Sequence, residues 1–158
     1  MGVPSGPPCH TLYGKLREKG FRDALAAQGV PLREDWILHL GEIDYNLSLA
    51  AARNLFSKPD HPDAVFTVSD VYAAGITRSL AQIGLRVPED VSVTGYDNSL
   101  YAQRGTGITT IAHPQEKLGE MAAELILEKI NGVPEQESKV ERLIQPELII
   151  RGSSRRYN

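Results

Sequence analysis

The fold class predicted by this sequence is α/β, a parallel-sheet, three-layer sandwich, and three observations predict it. Helical and extended segments alternate along most of the 158 residues. Two short strand candidates, AVFTV (64–68) and VSVTG (91–95), lie between helices and are dominated by apolar and β-branched residues, as strands covered on both faces are. Each is followed by a short polar tip carrying a carboxylate, Ser69-Asp70 and Tyr96-Asp97-Asn98. An open parallel sheet gathers its loops and its ligand crevice at that edge.

The elements follow in order. After a Pro/Gly-rich opening, YGKLREKGFRDALAAQG places Leu16, Phe21 and Leu25 near one helical face, and Gly29 with Pro31 ends a helix of about 12–28. DWILHLG (35–41) has strand length and β-favouring residues. NLSLAAARNLFSKPDHPD (46–63) gives a second helix closed by Pro59 and Pro62, and a third helix from Val71 to Ile83 separates the two apolar strands. RGTGITTIAHPQ (104–115) breaks the regularity with Gly105 and Gly107. Pro114 then opens a long helix that ends at Asn131 and Gly132. ERLIQPELIIRG (141–152) closes the chain as one or two extended segments.

Composition narrows the functional classes. With 41% hydrophobic and 23% charged residues the chain matches soluble globular proteins. A net charge of -3 gives no basic field, and Arg151, Arg155 and Arg156 are too few to grip DNA. The single cysteine, Cys9, excludes an internal disulfide framework and fits a cytoplasmic protein. No basic leader precedes an apolar stretch, and no window approaches the roughly 20 apolar residues of a membrane span, so neither secretion nor membrane insertion is expected.

Carboxylates beyond a sheet edge can hold a metal, act as acid and base, or accept hydrogen bonds from ligand hydroxyls. His10, His39, His61 and His113 show no ligand spacing to one another or to Cys9, so no metal site is expected. No G-x-S-x-G elbow is present, and RGTGITT lacks the third glycine of a dinucleotide fingerprint and opens no helix. No catalytic set or cofactor site emerges, and no enzyme is expected. Asp70 reads as the N-cap of the following helix. Asp97 follows Gly95 and opens no clear helix, which leaves an Asx-turn or a ligand contact.

Three stretches carry a family resemblance in order: AVFTVSDVYAAGITRSLAQIGLRVPEDVSVTGYDN, ITTIAHPQEKLGEMAAELILEKING and PELIIRGSS. Together they resemble the effector-binding domain of lac/gal repressor family transcription regulators. GPPCHTLYGKLREKGFRDALAAQGV, with its R-x-x-G-F-x-x-A-L run, extends the resemblance over nearly the whole chain. The resemblance implies a fold like that of periplasmic sugar-binding proteins, two α/β subdomains closing around a small effector such as a sugar or nucleobase-like compound. Residues 1–104 would form the C-terminal subdomain core. Residues 105–135 would form a crossover and a helix of the N-terminal subdomain, and 136–158 the closing strands and tail. The helix-turn-helix, hinge helix and first strands of such a regulator have no counterpart here, so the chain reads as a fragment.

The resemblance also implies a site. Arg17 falls where the family places an arginine on the effector, Ser69 where it places a small polar contact, and Asp97 on the aspartate of the G-[YF]-D-[DN] tip. Asp44 falls on a loop that supplies pocket side chains, and His113 and Gln115 flank the proline at the subdomain crevice. Asp97 would accept ligand hydrogen bonds while Asp70 caps its helix and holds Ser69. Gly152 stands where an acidic residue is common. Without its own subdomain the last helix would leave Leu118, Met121, Leu125 and Ile126 uncovered. A homodimer is expected, with operator DNA reached only through the missing headpiece. A transport solute-binding protein shares the fold and is the alternative, and an α/β enzyme using Asp70 and Asp97 as acid and base is a third.

Overall fold

The computed structural model describes residues 3–5 (backbone only), 12–131 and 142–155. Along them run β1 (Val3–Ser5), α1 (Leu12–Ala27), a 3₁₀ turn (Glu34–Trp36), β2 (Ile37–His39), α2 (Tyr45–Phe56), β3 (Ala64–Phe66), α3 (Asp70–Gln82), β4 (Ser92–Asp97), β5 (Thr109–Ala112), α4 (Gln115–Ile130) and β6 (Glu147–Ile149). Cys9 and His10 lie outside the described residues.

The main sheet has the order β3-β4-β5-β6, with β3, β4 and β5 parallel and β6 antiparallel to β5. β1 and β2 pair in parallel, and β1 lies beside β3. Side chains alternate across the strands, so the sheet presents two different faces. Val65 turns into a core shared with Leu55, Phe56, Ile76, Leu80, Val91 and Val93 under α2 and α3. Phe66 turns the other way and stacks on Phe21 of α1, ring centroids 5.0 Å apart. Helices therefore cover both faces of a parallel-dominated sheet, the three-layer α/β arrangement expected.

α2 and α3 approach closely because Gly75 has no side chain: a Cβ there would lie 2.5 Å from the Tyr45 carbonyl oxygen. The buried stripe of α1 runs Gly14, Arg17, Phe21, Leu25, at spacings of three and four. Leu16 lies one residue off it and is 57% exposed, contrary to the face expected from its apolar character. The glycine-broken stretch after residue 104 also contains an unforeseen strand, β5. Its Thr109 and Thr110 are buried, and their hydroxyls bond to protein: Thr109 to Ser154 and Arg151, Thr110 to Asp70.

The chain leaves this sheet after Ala112, and α4 buries none of its side chains. Leu118, Ile126, Leu127 and Ile130 are exposed, while Met121 and Leu125 are half-buried. Arg142 ties the returning chain to α4 through Glu124 and Glu128. Among the described residues of the closing segment, Glu147–Ile149 is the one strand.

Candidate functional site

Arg17 occupies a position that the helical period of α1 assigns to an apolar residue, and its side chain is only 16% exposed. The guanidinium lies over the Tyr96 ring, 3.6 Å from the centroid, and 5.2 Å from that of Tyr13 one helical turn away. One terminal nitrogen donates to the Val68 carbonyl at 2.7 Å. The other lies 3.2 Å from His113 Nε2 and 3.5 Å from Asp97 Oδ1. Arginine can only donate, so His113 Nε2 is the acceptor in this contact. α1, the end of β3, the end of β4 and the turn after β5 thus meet at the carboxyl edge of the sheet.

Asp97 is the last residue of β4 and has φ 102°, followed by Asn98 at φ 53°. Both lie in the left-handed region, which side-chain-bearing residues adopt only when the surroundings hold them there. The Asp97 side chain is 35% exposed, with the Ser69 hydroxyl as a hydrogen-bond partner and the Arg17 guanidinium 3.5 Å away. Burial pushes its carboxyl above the usual range and Asp70 adds to this, against the lowering pull of Arg17, His113 and the Ser69 hydroxyl. That the acid is raised despite a guanidinium 3.5 Å away means that desolvation outweighs the ion pair. The result is a half-buried carboxylate next to a cation held by stacking.

Of the residues singled out in the sequence, Arg17, Ser69, Asp97 and His113 come together. Ser69 is buried and caps α3 by accepting from the Val71 amide at 3.4 Å. The cap therefore belongs to Ser69, and the expectation that Asp70 caps the helix is corrected. Asp70 is the first residue of α3, fully buried, and both its oxygens bond away from the helix. Asp44 caps α2, accepting from the Leu47 amide at 2.8 Å. Its loop is pinned by the buried Tyr72, whose hydroxyl donates to the Glu42 carbonyl at 2.6 Å. Tyr72 is pushed up to about 12 by burial, with Tyr13, Asp44 and Glu42 adding to the effect. Gln115 opens α4 and is exposed.

Tyr13 and Tyr96 were not singled out in the sequence. The available signal was Arg17 itself, a charge on the buried stripe of α1, with Tyr13 four residues before it. Among the described residues no group of three or more His, Cys, Asp or Glu could hold a metal ion, and no helix is long and apolar enough to cross a membrane. An open groove lies elsewhere, between α3 and the 101–108 loop, lined by Ala74, Arg78, Tyr101 and Arg104 among others.

Residues 5–154 match the family described as periplasmic binding protein-like domain. The HTH-type transcriptional repressor PurR of Vibrio parahaemolyticus is 38% identical over 143 residues, 90% of this chain and 42% of that protein. The chain thus spans less than half the length of the curated relatives it matches. Among solved structures, the transcriptional regulator CelR in complex with cellobiose superposes with a TM-score of 0.83 at 34% identity, over 97% of this chain and 46% of that one. A LacI family transcriptional regulator from Lactobacillus casei with bound sucrose gives 0.79 at 28% identity, over 96% and 55%. The chain belongs to the periplasmic binding protein-like domain family, in the form carried by transcriptional regulators of the lac/gal repressor type.

Proposed function

We propose that this chain is the effector-sensing part of a LacI-type transcription regulator, binding a small polyhydroxylated ligand, a sugar or related metabolite, at the Arg17–Asp97 crevice. The observation that carries the reading is Asp97: a half-buried carboxylate, raised by burial even with the Ser69 hydroxyl and Arg17 beside it, at a strand end where ligand hydroxyls can supply further donors. Arg17 offers its remaining N–H edge to a neighbouring oxygen, and the Tyr13 and Tyr96 rings that flank it suit the apolar faces of a sugar ring. Ser69 and His113 line the same edge, and Asp44 and Gln115 complete the contact set from the adjoining loop and the first turn of α4. The site binds and does not catalyse.

In this reading α4 belongs to a second subdomain that closes over the crevice, and ligand shifts the population of closed molecules. Closure changes the DNA affinity of an attached headpiece in a cytoplasmic homodimer. The groove beside α3, flanked by the exposed Leu100 and Tyr101, is the surface proposed for the second copy. The test is Asp97→Ala in the regulator. Loss of a contact to a charged acceptor costs about 1 to 3 kcal/mol, roughly a ten- to hundredfold drop in effector affinity. DNA binding without effector stays unchanged. An effector response equal to wild type removes Asp97 from the pocket.

A further inference from the structure

We propose that Asp70 is a positioning residue for the effector site, holding from below the left-handed strand end that presents Asp97. This rests on the reading of Asp97 as a ligand contact. Asp70 is 0% exposed, and with Ser69 capping α3 its carboxylate is free to turn toward the neighbouring strands.

One oxygen accepts the Thr110 hydroxyl proton and the other accepts the Ser99 amide, each at 2.6 Å. The Thr110 hydroxyl oxygen in turn accepts from the Asn98 amide at 3.3 Å. A single buried carboxylate thereby reaches both backbone amides that follow Asp97, one directly and one through Thr110. These are the amides that must be held for Asp97 and Asn98 to stay at φ 102° and 53°. β4 is bare where the carboxylate passes, because a Cβ on Gly95 would collide with Asp70 Oδ1. Arg151 gives a second hold, donating to Asn98 Oδ1 at 2.7 Å and to the Ile108 carbonyl at 2.9 Å. The arrangement differs from an ordinary buried tie in that both partners of Asp70 bracket the β4 tip: Ser99 lies two residues after Asp97, and Thr110 of β5 pairs with Gly95, two residues before it.

The groups facing Asp97 are Arg17 from α1, Ser69 and Asp70 from the start of α3, and His113 from the turn after β5. Burial is the main cause of its raised carboxyl, so a loosened tip lets Asp97 reach water and titrate lower. The experiment is a carbon-13 titration of the Asp97 carboxyl in the ligand-free protein, comparing wild type with Thr110→Val, Thr110→Ser and Asp70→Asn.

Thr110→Val changes no charge, yet its Asp97 midpoint falls toward the ordinary carboxylate range. Thr110→Ser keeps the hydroxyl and restores the wild-type midpoint. Asp70→Asn lowers the midpoint further, losing both the hold and a negative neighbour. The Asn98 and Ser99 amide resonances move in Thr110→Val and Asp70→Asn, while those of β3 do not. If Asp70→Asn fails to fold, the threonine pair decides alone. An Asp97 midpoint in folded Thr110→Val equal to that of Thr110→Ser overturns the proposal. No ligand enters these readouts, so an unaltered effector response in Asp97→Ala would sink the functional reading without touching the positioning result.

Discussion

Replacing Gly95 by alanine places one methyl group where β4 passes over Asp70. The new Cβ would overlap Asp70 Oδ1 and lie 3.2 Å from both Asp70 Cγ and Ile108 Cγ2. A collision with the end of a flexible side chain is normally relieved by rotation. Asp70 has no such freedom, because it is fully buried and both oxygens are engaged. Relief then requires giving up the bonds to Thr110 and Ser99 or moving β4 away from α3. Hydrogen bonds to charged groups contribute roughly 1.5 to 3 kcal/mol each, so losing the pair destabilises by about 3 to 6 kcal/mol. That is a large share of the ~5–15 kcal/mol typical of a folded domain. Urea unfolding of Gly95→Ala at neutral pH measures the change directly. A loss below about 1 kcal/mol would show that the carboxylate moves freely and that the hold beneath the β4 tip is weaker than described.

Asp97→Asn tests the raised acidity of the site. A carboxyl raised in the folded state contributes stability that is fully present below its unfolded value, about 3.9, and is lost as pH rises through the folded value. The asparagine variant therefore gains on wild type in urea midpoint as pH goes from about 4 to 7, and a constant difference across that range contradicts the burial of Asp97. Gly75→Ala forces α2 and α3 apart, since its Cβ meets the Tyr45 backbone oxygen at 2.5 Å and the Leu49 nitrogen at 3.2 Å. We expect a loss of about 2 kcal/mol or more by thermal or urea unfolding, and a neutral result would mean that the helices slide without cost. Tyr101→Asp puts a charge beside the groove proposed for the second copy and converts a dimer to monomer in sedimentation velocity, whereas a dimer unchanged by the substitution moves the interface elsewhere.

The α/β class, the two strands and the three helices that frame them are legible because a strand set between helices draws mainly on apolar and β-branched residues. β5 is not legible for the converse reason. Its first two residues are threonines whose burial depends on partners in Asp70, Arg151 and Ser154, far away in sequence. The caps show a different limit. Ser69 and Asp70 both have side chains that cap helices, and cap preference alone does not decide between adjacent residues. The three-dimensional neighbours decide it by offering Asp70 two donors from β5 and the β4 tip. Leu16 shows that an apolar side chain need not mark the buried face of a helix. Arg17 takes that face instead, because it finds Val68 O, the Tyr96 ring and His113 there.

The most direct measurement is a crystal structure of the protein with the tightest-binding member of a panel of neutral sugars and purine bases. The account predicts a ligand donor within hydrogen-bond distance of the Asp97 carboxylate, and the ring face of the ligand against the aromatic groups around Arg17. A ligand seated instead in the groove between α3 and the 101–108 loop, with Asp97 and Arg17 untouched, would contradict it.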